Sequence, residues 1–122
     1  MPLVLIVDDN EKNRKLAKSV LRAAGFEPLE AATGAEAVTL AMEHLPNVVL
    51  MDLQLPDMNG TDALKQLERS EQTARIPVVA MSAMPLEGTG GWIGEVGFAG
   101  SIEKPIHIAT FPDEVRRYCA EG

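Results

Sequence analysis

Several residue types are scarce in these 122 residues: one cysteine (Cys119), one tryptophan, one tyrosine and two histidines. A lone cysteine makes no internal disulfide, so packing must hold the fold, and a reducing compartment suits it. Cys119, near the end of the sequence, reads as a helix-packing residue. His44 and His107 are too isolated to build a histidine metal site and read as solvent-facing. Aromatic residues are only 4% of the chain, so the core has to be aliphatic. Basic side chains are also in the minority, 11 against 18 acidic, for a net charge of −7. Non-specific nucleic-acid binding needs a basic surface to displace counterions, and is excluded. No apolar run approaches the roughly 20 residues of a membrane span. Leu3–Val7 is also too short, and lacks the basic leader, for a signal peptide. The expectation is a cytoplasmic protein of one domain, residues 1–122, with no output domain and no membrane or direct nucleic-acid partner.

Four short apolar runs are present, and each leads to a residue that handles phosphate or metal. Leu3–Val7 runs into Asp8 and Asp9, and Val48–Met51 into Asp52. Val78–Met81 runs into Ser82, and the weaker stretch Phe98–Ile102 leads to Lys104 and Pro105. Strands that are apolar throughout belong to parallel sheets covered on both faces. In open sheets of that kind ligands bind beyond the carboxyl ends of the strands. Three carboxylates, a hydroxyl and an ammonium therefore converge on one edge.

Between the runs the apolar residues fall at helical spacing. Asn10–Ala24 reads as a helix with Leu16, Ala17, Val20, Leu21 and Ala24 inward, Asp9 or Asn10 as cap, and Gly25 just past its end. Phe26–Ala31 is a more polar strand near the sheet edge. Ala35–His44 is a second helix with Ala37, Val38, Ala41 and Met42 inward, stopped by Pro46. Leu53 to Gly60 is rich in turn-formers, and a third helix spans Thr61–Arg69 with Leu64 and Leu67 inward. The fourth helix, Leu86–Val96, contains Gly88, Gly90, Gly91 and Gly94; each interior glycine costs about 1 kcal/mol against alanine, so it should be short or irregular. Trp92, in this segment, reads as packing on the sheet or as an exposed anchor for a partner. Pro112 opens a last helix to about Ala120, with Val115 and Tyr118 inward. Five alternations of strand and helix predict a five-stranded parallel α/β sheet with helices on both faces, flavodoxin-like in the order 2-1-3-4-5. Periodicity alone does not give that order.

Asp8, Asp9 and Asp52 together suit a hard divalent cation such as magnesium, which takes oxygen ligands and keeps several waters. Lys104 balances the remaining charge. Asp8 and Asp9 as mere helix caps, with Asp52 starting a turn, is the plainer alternative.

The motifs Val7-Asp8-Asp9-Asn10, Met51-Asp52-Leu53-Gln54-Leu55-Pro56-Asp57-Met58-Asn59-Gly60, Ser82-Ala83 and Lys104-Pro105-Ile106 resemble the receiver domains of bacterial two-component response regulators. The resemblance covers nearly the whole chain and points to the stand-alone type, similar to small cell-cycle and chemotaxis regulators. It implies that Asp52 is the phosphoacceptor for a phosphohistidine on a histidine kinase or histidine phosphotransferase. It implies magnesium held by Asp9, Asp52 and the backbone carbonyl of Gln54, with Asp8 acting largely through water. Lys104 would contact the phosphoryl group and Ser82 would donate its hydroxyl to it. The Lys104–Pro105 bond is expected to be cis. Phosphorylation would change a protein-binding surface read by a downstream target, without making the chain an enzyme.

One position departs from the family pattern. Three residues before the site lysine the family commonly has Tyr or Phe; here it is Ser101, and Phe98 is out of register to replace it. Either the loop carrying Ser82 moves without an aromatic partner, or the output surface is altered. A phosphorylation-independent receiver-like interaction module is the alternative function. An aspartate-nucleophile phosphatase would need a second acid where Gln54 stands. A flavin carrier would need a phosphate loop of Ser, Thr or Gly where this chain has Asp8-Asp9-Asn10.

Overall fold

Every residue of Val48–Asp52 and Val78–Ser82 is buried, as the strands of a sheet covered on both faces must be. In the computed structural model, which describes residues 1–82 and 96–119, these are β3 and β4. With β1 (Leu3–Val7), β2 (Glu27–Ala31) and β5 (Gly100–Glu103) they form one parallel sheet ordered β2-β1-β3-β4-β5. The helices are α1 (Glu11–Ala23), α2 (Gly34–His44), α3 (Gly60–Glu68) and, after β5, α4 (Phe111–Tyr118). The predicted fold class and strand order are borne out, and the polar β2 is an edge strand.

Alternation along the strands divides the core in two. Leu5, Val7, Val49, Met51, Val78 and Ala80 face Ala37 and Ala41 of α2 and Ala63, Leu64 and Leu67 of α3. Val4, Ile6, Val48, Leu50, Val79 and Met81 face Ala17 and Leu21 of α1 and Phe111 and Val115 of α4. Two of the three phenylalanines, Phe26 and Phe111, are fully buried in the second half.

The helix ends follow local chemistry. Asn10, not Asp9, caps α1: its side chain accepts the Asn13 N–H at 3.1 Å. At the other end Gly25 takes φ +93°, its N–H donating to the Arg22 carbonyl (3.2 Å) and that of Phe26 to the Leu21 carbonyl (3.0 Å). This is the Schellman pattern, completed by the buried Leu21 and Phe26. Thr33 caps α2 by accepting the Glu36 N–H at 3.1 Å, while Glu36 reaches back to the Ala32 N–H at 2.8 Å.

Some details differ from the sequence-based expectation. Helix and strand limits shift by one or two residues, and β5 starts at Gly100, with Phe98 in the core just before it. Leu16 and Met42 are 40% and 42% exposed rather than inward. Each sits beside a buried alanine, Ala17 or Ala41, at the margin of an apolar stripe wider than the strip of sheet it covers. Tyr118 is half-buried against the α1–α4 half of the core, as is Cys119. His44 and His107 are exposed, as read. Nearly all of the glycine-rich stretch 86–96, with Trp92, lies outside the described residues. Among the described residues no helix is long and apolar enough to cross a membrane.

Candidate functional site

β1 and β3 are hydrogen-bonded neighbours in the register Val7↔Met51, so Asp8 and Asp52 leave the sheet side by side. Asp8, Asp9 and Asp52 each offer an oxygen within 4.8 Å of the others. Ser82 ends β4, and Lys104 follows β5, its N–H donating to the Ser82 carbonyl at 2.8 Å. The Lys104 ammonium lies 2.7 Å from Asp8 Oδ2 and 2.9 Å from Asp52 Oδ2. The Lys104–Pro105 peptide is cis. Asp9, Asp52, Gln54, Ser82 and Lys104 line one cleft of about 370 Å³, to which Asp8 is joined through Lys104. All six residues singled out in the sequence meet here.

Each buried carboxylate is tied at both oxygens. Asp8 Oδ1 accepts the Asn10 N–H at 2.9 Å and Asp52 Oδ1 the Gln54 N–H at 3.0 Å, leaving both Oδ2 atoms to Lys104. Burial alone would lower the Lys104 pKa, but hydrogen bonds to Asp8 and Asp52, with their charges, outweigh it and hold the ammonium above its ordinary range. Asp9 is exposed, and no described residue engages its carboxylate. Three carboxylates against one ammonium leave an excess of negative charge on hard oxygen donors. That set fits magnesium.

The β3–α3 loop is fixed by contacts that sequence reasoning missed. Asp57, read only as a turn residue, accepts the N–H groups of Gly34 (2.8 Å) and Ala35 (3.0 Å) at the start of α2. The Leu55 N–H bonds the Met58 carbonyl (3.2 Å) and the Gly60 N–H the Leu53 carbonyl (2.9 Å). No local pattern announces the Asp57 bridge, because its partners lie 22 and 23 residues away. The bonds from Gly34 and then Ala35 hold the Asp57 carboxyl below its ordinary value of 3.8. A carboxyl with a depressed folded pKa stabilises above its unfolded value, and that share is lost as the pH falls through the folded one. An Asp57→Ala chain should therefore unfold at lower urea than wild type at neutral pH, with the gap fully open above pH 3.8 and closing below it. A gap unchanged in acid would assign the effect to packing instead.

Ser101 lies in β5 opposite Ala80 and is half-buried, while Phe98 packs in the α2–α3 half of the core.

A parallel sheet of this order, with an acidic cleft beyond β1 and β3 and a lysine reaching in from β5, defines a phosphoacceptor class. The chain belongs to the response regulator receiver domain family, whose model it matches over residues 4–116. It is 37% identical over 119 residues to the polar-differentiation response regulator DivK of Brucella ovis, covering 98% of this chain and 97% of the relative. The chemotaxis protein CheY4 of Vibrio cholerae has the same fold, with a TM-score of 0.89 at 27% identity over 97% of this chain and 98% of that one. So does the receiver domain of a sensor histidine kinase from Pseudomonas aeruginosa, solved with magnesium coordinated in its active-site cleft (TM-score 0.85, 27% identity, 96% of each chain). The expected family and its place in two-component signalling are thereby established.

Proposed function

We propose that Asp52 accepts a phosphoryl group from a phosphohistidine on a histidine kinase or histidine phosphotransferase, and that the resulting charge alters a surface read by a downstream protein. The observation that carries this reading is the Lys104 ammonium bridging Asp8 and Asp52 at 2.7 and 2.9 Å over an oxygen-lined cleft. An Asp52 oxygen attacks phosphorus, the P–N bond breaks, and its electron pair leaves on the imidazole, which takes up a proton. The carboxylate needs no base. Lys104 pairs with the charge that grows on the phosphoryl oxygens, and Ser82 donates its hydroxyl to one of them.

Asp9, Asp52 and the Gln54 carbonyl would hold magnesium, with Asp8 contributing through water; when bound, the ion would neutralise charge on the transferring group. The magnesium in the Pseudomonas receiver domain supports the assignment. The chain assists its own phosphorylation and later hydrolysis, and so acts as a signalling phosphoacceptor rather than as an enzyme with a separate substrate. A receiver domain working in the cytoplasm, similar over nearly its full length to DivK, completes the proposal.

Intact mass after incubation with acetyl phosphate and magnesium tests the reading. Wild type should gain one phosphoryl group, labile to hydroxylamine and dependent on magnesium, and Asp52→Asn should gain none. No adduct, together with failure to bind the phosphate mimic beryllofluoride, would leave a receiver-like interaction module.

A further inference from the structure

The backbone of Asp8 is held by two unlike partners. Its N–H bonds the Ala31 carbonyl at 3.0 Å, one step past the last ladder pair, Val7↔Ala31. Its own carbonyl takes a side-chain donor, Arg14 Nη1 in the first turn of α1, at 2.7 Å. Arg14 is gripped in turn by Glu30 of β2, with Nε 3.4 Å from Oε1, while Lys18 Nζ holds Oε2 at 3.1 Å. The Arg14 side chain is only 16% exposed, so its contact with the carbonyl is largely shielded from water.

The bond fixes the plane of the peptide that joins Asp8 to Asp9. This matters because no described residue holds the Asp9 carboxylate itself, so what the fold fixes is the backbone from which that side chain departs. One guanidinium can donate to a carbonyl through Nη1 and to a carboxylate through Nε at once, which suits arginine better than lysine. An ion pair between Arg14 and Glu30 alone would add little to stability. The Asp8 carbonyl is where this network touches the site.

We infer that Arg14, braced by Glu30 and Lys18, is a positioning residue for the cation site, holding the Asp8 carbonyl so that the Asp9 carboxylate points into the cleft shared with Asp52. The inference rests on the reading of Asp9 and Asp52 as magnesium ligands.

Magnesium alone, titrated calorimetrically into the full chain, tests it. Loss of an outer partner of a metal ligand commonly weakens affinity by about 10–100-fold. Arg14→Gln should bind magnesium about tenfold more weakly than wild type, at the low end of that range. Glu30→Ala should lose less, and Arg14→Lys should recover part of the loss. Lys15→Ala should match wild type, since among the described residues Lys15 pairs only with the exposed Glu11. Urea midpoints, recorded beside each titration, separate loss of stability from loss of affinity in the folded chain. Wild-type affinity in folded Arg14→Gln overturns the inference and leaves the ligand reading intact. Should Arg14→Gln fail to fold, Glu30→Ala decides, and unchanged affinity there overturns it equally. A wild type that takes up no magnesium sinks the ligand reading, and the inference falls with it.

Discussion

Replacing Lys104 by methionine is expected to raise magnesium affinity while slowing phosphoryl acceptance by about a hundredfold, the scale set by loss of one charge-stabilising donor. The two effects have opposite signs because the ammonium plays two parts. Before transfer it sits on Asp8 and Asp52, at 2.7 and 2.9 Å, and competes with a cation for the same carboxylates. During the proposed transfer it would pair with the charge growing on the phosphoryl oxygens. Without a metal the variant should also be less stable. Removing one partner of a buried ion pair costs about 3–5 kcal/mol, and an open cleft that lets water reach the carboxylates reduces this to about 2 kcal/mol. Millimolar magnesium should restore most of that deficit by binding the folded form. Calorimetry, urea unfolding with and without magnesium, and acetyl phosphate labelling check the three parts. Weaker magnesium binding in Lys104→Met would show that the ammonium supports the cation site instead of competing with it.

The second large effect is expected at Gly60. A Cβ there would stand 2.5 Å from the Asp52 carbonyl oxygen and 3.0 Å from the Leu53 Cα, both backbone atoms. Neither can turn aside like a side chain, so α3 or the end of β3 has to move. Gly60→Ala should cost about 3 kcal/mol, the upper part of the range for overpacking. The shift should also displace Asp52 and slow its labelling. Gly34→Ala is the matched comparison. Its Cβ would meet Cγ and Sδ of Met58 at 2.5 Å, the movable part of a flexible side chain. A much smaller loss of urea stability is expected there, with labelling near wild type. Equal losses at both positions would contradict the backbone argument.

Which parts of this molecule could be read from the sequence follows from how far apart the interacting residues lie. The apolar runs ending at Asp8, Asp52 and Ser82 marked the strands and their chemical ends, because a strand buried on both faces has no polar positions to confuse the pattern. Gly25 announced the end of α1 by local geometry alone. Strand order was not in the periodicity. Leu16 and Met42 were placed inward because a pattern records which face is apolar, not how much of it the sheet covers. Phe111, fully buried at the start of α4, has no apolar run around it in sequence to mark it beside the conspicuous Pro112. The Thr33–Glu36 spacing is a legible capping signal, three residues apart in the sequence. Asp57 and Arg14 were of another kind: one bridges to α2 and the other to the end of β1, contacts that only the folded chain brings together.

The carboxylates of the cleft hang from two strands bonded directly to one another, so their separation is a property of the backbone ladder. The outward faces of the helices play no part in setting it. The outward sides of the helices can therefore accumulate substitutions, taking on or shedding clients, while the distance between Asp8 and Asp52 stays where the sheet puts it. Loops and helices supply the vocabulary of recognition, and the hydrogen-bonded ladder keeps the grammar of transfer constant beneath it.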